Sequence, residues 1–443
     1  MSGVGVGPFT ELTFDADGDP DPGQRAALLR LDATDLVVFS HGWNSDRSVA
    51  TRLYDRFFAP FPELAAPGVR LGYAGVLWPA MRFSDEPIPD FDPPKAAGGR
   101  ESGPALDAAT RAALGEFWPG RGPELDRIAE LLRLQPESEA AFAEFGSLVR
   151  SLAGLPDGLV TATTAATASA TTAVAGSAGG GGQVPAIFGA DTLGVCADFT
   201  QALVESGAAP PSPGGAAASL SGGLRTLWNG GKELLRQATY YTMKKRAGHI
   251  GEHGLGPVLG QLARTRPALR VHLVGHSFGA RLVSCSLRGL PPEVRTVKSL
   301  TLLQGAFSHY AFAASLPHER RRGGHLGGLH GRVDGPVVSC HSRHDSALGV
   351  FYPLASRLAR DSAGFSASDA RWGAMGHDGI HAVPGAVRLT LDAALRDGLP
   401  RTGCVSVDAA AVVRRGGAPS GAHSDICHAE LARVVVEAGR FGR

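Results

Sequence analysis

Residues 275–279, Gly-His-Ser-Phe-Gly, carry the most specific chemistry in this sequence. They fit G-x-S-x-G, the spacing that sets a serine hydroxyl on a tight turn between a strand and a helix. Alone the pattern is weak, because a chain with 60 glycines meets it readily by chance. Its setting says more. A β-rich run at 270–274 (RVHLV) ends just before it, and a helical run at 280–288 (ARLVSCSLR) starts just after it. Gly275 and Gly279 would let strand and helix approach without Cβ clashes. The turn would lift the Ser277 hydroxyl above a sheet edge and aim a helix N-terminus at developing negative charge. The chemistry on offer is nucleophilic attack by Ser277; the plain alternative is a glycine-rich turn without chemistry.

A serine hydroxyl is a poor nucleophile at neutral pH, so it needs a base, and the base needs an orienting acid. The 275–279 segment resembles the nucleophile elbow of the α/β-hydrolase superfamily, especially its lipase and esterase branch. The resemblance spans 36–82 and 240–443. It implies the chain order serine, acid, histidine, with the acid after a late strand and the histidine after the last one. Asp345, just past the run 336–340 (PVVSC), stands at the acid's place. Asp334 precedes that run and suits the role less, and Asp345 could equally be a solvated or helix-capping aspartate.

His423 lies in a glycine-rich loop ahead of the closing helical run, matching the superfamily's histidine, with Gly417 and Gly421 to bend the loop back. His377 and His381 are the alternatives, and His428 sits at the helix start. An oxyanion hole needs two donors aimed at one oxygen. The resemblance assigns them to the backbone N–H groups of Phe278 and of Trp43, in a His41-Gly42-Trp43-Asn44 stretch similar to the HG loop of lipases and esterases. A simple strand-ending turn is the alternative there.

Positioning these groups requires a sheet. Apolar, β-rich runs occur at 36–40, 69–78, 270–274, 297–303, 336–340 and 404–413, nearly continuous rather than alternating, as for strands covered on both faces. Helical patterns at 280–288 and 428–438 follow strands, which argues for a mostly parallel sheet with helices on both faces. Ahead of 36–40 only 9–14 (FTELTF) and 28–31 offer further strands. Residues 84–237 break the rhythm and read as a large cap-like insertion between core segments 1–83 and 238–443. The insertion opens with a Pro-rich stretch, continues with helical patterns at 124–134 and 137–152, and holds Ala/Thr/Gly tracts at 158–190 and 206–223. The first tract is too weakly apolar for a confident membrane span.

The chain has 443 residues, enough for one enlarged domain or two, and a formal net charge of +1, which offers no field for nucleic acid or an anionic membrane. Glycine and proline total 60 and 30, so loops should be abundant in a chain that still folds. Five scattered cysteines without CxxC spacing suggest free thiols. No basic or apolar leader opens the sequence, so cytoplasmic residence is the expectation. His341, His344 and Asp345 could suggest a metal cluster, but no matching ligand group stands near them. The basic stretch 319–332 reads as a solvated loop that could rim a site.

The expectation is therefore an ester-cleaving serine hydrolase without cofactor or metal. Its substrate would be a small-molecule or lipid-like acyl compound, with no nucleic acid partner and no integral membrane segment; the oligomeric state stays open. A peptidase or acyltransferase on the same triad, or a non-catalytic interaction protein on the same fold, remains open.

Overall fold

The computed structural model describes residues 3–43, 45–81, 83, 103–155, 186–205, 223–351, 373–417 and 420–441. The chain divides into two compact units. The first comprises Met1–Pro93, Arg246–Gly349 and Gly373–Arg443; the second comprises Pro94–Lys245 and Val350–Trp372. The Pro-rich stretch at 85–94, Asn44 and most of both Ala/Thr/Gly tracts lie outside the described residues.

The first unit is built on one eight-stranded, all-parallel sheet. Its strands are β1 (Phe9–Thr13), β2 (Asp35–Ser40), β3 (Leu71–Leu77), β4 (Arg270–His276), β5 (Val297–Leu303), β6 (Pro336–His341), β7 (Val387–Thr390) and β8 (Gly403–Asp408). Their spatial order is β1-β3-β2-β4-β5-β6-β8-β7, with every pairing parallel. Strand order reverses between β2 and β4. The chain leaves β2 for β3 on one side and leaves β4 for β5 on the other, so the carboxyl ends of β2 and β4 flank a topological switch point.

Helices cover both faces. The main ones in this unit are α1 (Pro22–Arg30), α2 (Arg47–Phe58), α3 (Gly256–Thr265), α4 (Phe278–Gly289), α5 (Leu391–Asp397) and α6 (Ala429–Gly439). Val37 and Phe39 join a cluster with Tyr54, Phe57 and Phe58 of α2 and Leu431, Val434 and Val435 of α6. Leu36 and Val38 point the other way and are equally buried, because α4 and its neighbours close that side. Continuous apolar strands thus follow from two covered faces.

Two sequence expectations change, and one strand lay outside them. Residues 28–31 end helix α1 instead of forming a strand: Asp21 caps its first turn by accepting the Gln24 N–H, with Pro22 at the first helical position. The 404–413 run stops being a strand at Asp408, whose carboxylate accepts the Ala410 N–H and starts a turn through Val413. The strand β7 carries no strong sequence signal, being a four-residue edge strand whose side chains are only partly covered.

The second unit, among its described residues, is helical. Its helices include Ala108–Phe117, Gly122–Leu134, Glu139–Leu152 and Thr192–Glu205. Gln135 at φ +52° ends one helix and Ser138 caps the next, which is why two expected helical patterns stay separate. Trp228 anchors this unit, stacked on Phe142 at 4.2 Å and edge-on to Phe145 at 5.4 Å. Among the described residues no helix is long and apolar enough to cross a membrane. None of the five cysteines is in a disulfide, and four of them are buried.

Candidate active site

Ser277 follows the last residue of β4 and precedes the first residue of α4. It sits at φ +56°, ψ −119°, a region that side-chain-bearing residues rarely adopt. Glycines on both sides make this turn possible. A Cβ on Gly275 would fall 2.5 Å from the Ala280 backbone, and one on Gly279 only 2.1 Å from the Ser40 carbonyl oxygen. Strand, elbow and helix pack backbone to backbone here, the role expected of both glycines.

His423 reaches the serine from 146 residues away. Its Nε2 lies 2.8 Å from Ser277 Oγ, and its Nδ1 lies 2.8 Å from Asp345 Oδ2. An ionised carboxylate can only accept, so Nδ1 carries the proton and Nε2 accepts from the hydroxyl. Asp345 is fully buried in the loop after β6, and its other oxygen accepts the Leu348 N–H at 3.0 Å. The loop carrying His423 returns over the elbow through Gly421, at φ +59°, where a Cβ would lie 2.5 Å from the His344 carbonyl oxygen.

The alternatives are engaged elsewhere. His377 Nδ1 pairs with Asp378 at 2.8 Å, and His381 Nε2 donates to the Asp378 carbonyl at 3.0 Å. His428 Nε2 binds Asp425 at 2.9 Å. Asp334 pairs with Lys298 just ahead of β6, at the opposite edge of the sheet from Ser277. Among the described residues no group of three or more His, Cys, Asp or Glu side chains is placed to hold a metal.

The loop after β2 lies against the elbow because β2 and β4 are paired, with Ser40 opposite Gly275. Gly42 packs so tightly that a Cβ there would sit 2.5 Å from Ser277 Cβ. Trp43 follows it, and Phe278 opens α4, so both expected oxyanion donors belong to segments bordering Ser277. The His41 peptide is braced on both sides. Its N–H donates to Tyr54 Oη at 3.1 Å, and its carbonyl accepts the Trp78 Nε1–H at 3.1 Å. The His41 ring stacks on Trp78, its centroid 5.6 Å away, and burial pushes it down to about 4, so it is neutral at pH 7. Tyr54 and Trp78 carry no motif that would have announced this bracing.

One expectation is not met. The elbow was expected to leave the hydroxyl standing clear of the sheet, yet Ser277 is only 1% exposed and the His423 side chain 12%. Gly42 closes one side of the small side chain and His423 takes the hydroxyl.

Compared with protein-family models, curated proteins and solved structures, the chain gives no significant match.

Proposed function

We propose that the chain is a serine hydrolase of the α/β-hydrolase superfamily that cleaves a carboxylic ester or related acyl bond through an acyl-enzyme. The observation that carries this reading is the linked pair of 2.8 Å contacts joining Asp345, His423 and Ser277 on a backbone-strained elbow. Ser277 Oγ attacks the acyl carbon while His423 Nε2 takes its proton. Asp345 holds the tautomer and offsets the imidazolium charge. Phe278 and Trp43 donate their N–H groups to the oxyanion, each such donor contributing about 2.7–4 kcal/mol to the rate. The imidazolium returns the proton to the leaving alkoxide, and water repeats the sequence to release the acid.

Two observations support the electrostatics. Neutral His41 adds no charge beside the elbow, and the buried Asp345 faces His423 with little solvent to screen it. The covered hydroxyl favours a second reading, a non-catalytic protein that keeps the triad geometry. A fluorophosphonate probe separates the two. The first reading expects covalent labelling of the wild type and none of Ser277→Ala. A folded wild type that stays unlabelled, including with small probes, makes the second reading correct.

A further inference from the structure

We propose that His276, the residue before the nucleophile, is a positioning residue that holds His423 over Ser277 by gripping the His423 backbone. This rests on the hydrolase reading and adds a part to its machinery. The His276 Nε2–H donates to the carbonyl oxygen of His423 at 2.8 Å. A carbonyl can only accept, so the bond sets the His276 tautomer with its proton on Nε2.

Three features set this bond apart from ordinary satisfaction of a core histidine. It ties the last residue of β4 to the very residue whose ring engages the next residue in the chain, Ser277. The His423 ring is thereby held at both ends: Asp345 takes Nδ1 while His276 anchors the peptide from which the ring swings. The buried His276 would also have its Nδ1 3.0 Å from a Cβ on Gly42, so one imidazole abuts the HG loop, the elbow and the histidine loop.

The chemistry favours a neutral donor here. Burial, reinforced by the neighbouring His423, pushes His276 down to about 3. It therefore stays uncharged across the working range and neither competes for the serine's proton nor repels the imidazolium forming on His423. The ring centroids are 5.1 Å apart, close enough for a cation at His276 to depress the base.

The test compares His276→Leu, which removes the donor, with His276→Gln, which keeps an N–H donor without a titrating ring. Second-order fluorophosphonate labelling and the pH profile of nitrophenyl acetate hydrolysis are measured for each. His276→Leu should label about 100-fold more slowly, the scale expected for small misplacement of a catalytic group, with KM little changed. Its acidic pH limb should shift, and His276→Gln should recover most of the rate. A readout independent of catalysis is the downfield proton resonance of His423 Nδ1–H, which should survive in wild type and His276→Gln and broaden or vanish in His276→Leu.

Labelling, pH limb and resonance all unchanged in His276→Leu would overturn the proposal. So would equal losses in both variants that track their melting temperatures. If the wild type is unlabelled yet its resonance is lost in His276→Leu, the hydrolase reading fails while the positioning role stands.

Discussion

Gln304 is fully buried one residue past β5, at φ +47°. Neither polar atom of its side-chain amide has a hydrogen-bond partner among the described residues. Its N–H donates to the Cys340 carbonyl at 3.1 Å, and a Cβ on Gly376 would lie 2.5 Å from its Cα, so the backbone cannot relax away. An unpaired buried amide costs about 1–3 kcal/mol on mutational scales. Gln304→Leu, similar in size and apolar, should raise the urea midpoint by a corresponding amount with an unchanged slope. A lower midpoint would show that the amide stabilises the fold. Its neighbours contact the elbow: Leu303 accepts the Ser277 N–H, and Ala306 donates to the Ser277 carbonyl. The turn at Gln304 thus lies between two residues that hold the Ser277 peptide in place.

The element most in need of support is the 409–428 loop that carries His423, which among its described residues contains neither helix nor strand. Its anchors are polar. Ser342 Oγ donates to the Val413 carbonyl at 2.6 Å, and the Ala422 N–H donates to the His344 carbonyl at 2.9 Å. Asp425, fully buried, accepts the Arg414 and Arg415 N–H groups at 2.9 and 2.8 Å and also binds the Arg415 guanidinium and His428.

Burial alone would raise the Asp425 carboxyl, but these donors outweigh it and hold it below the usual aspartate range. A depressed carboxylate stabilises the fold above its unfolded value, and that contribution is lost as pH falls through the folded value. Asp425→Asn should therefore cost about 1.5–3 kcal/mol near pH 7, as for hydrogen bonds to a charged group. The gap from wild type should shrink as pH drops below about 4. A gap that stays constant from neutral pH down to pH 2 would rule out this carboxylate as the anchor.

At the scale of the molecule, residue type and mutual contact do not suffice for a site. A second serine–histidine–aspartate set lies inside the sheet: His272 Nδ1 is 3.0 Å from Ser299 Oγ, and its Nε2 is 3.0 Å from Asp35. All three are buried near the strands' amino ends, on β2, β4 and β5, with Phe441 packed against the imidazole. Ser299 lies inside β5, beside a register shift in its pairing with β4, with neither an elbow nor a helix N-terminus after it, and burial lowers His272. This set fastens three strands and the end of α6, where Arg270 also binds the Gly439 carbonyl at 2.6 Å. Ser299→Ala should leave the fluorophosphonate labelling rate within about twofold of wild type, and no probe should be found on Ser299 by peptide mapping. A probe on Ser299 would contradict the assignment of chemistry to the carboxyl edge.

The amino-acid sequence by itself determined the local devices: the glycine-flanked turn at Ser277, the apolar runs that had to become doubly covered strands, and the order of serine, acid and histidine. Those features depend on sterics and burial within a few residues, which a linear pattern records. Asp345 and His423 came forward through the resemblance to α/β-hydrolases, which supplies the order and the places of acid and histidine, and not through local spacing alone. Tertiary structure decided what depends on strand order and loop closure. Pairing β2 with β4 set Gly42 against Ser277, and the His423 loop had to close before His276 or Asp425 acquired a purpose. Burial of Ser277 was likewise invisible in the linear chain, because Gly42 and His423, which approach its side chain, lie hundreds of residues apart and meet only when the sheet is assembled.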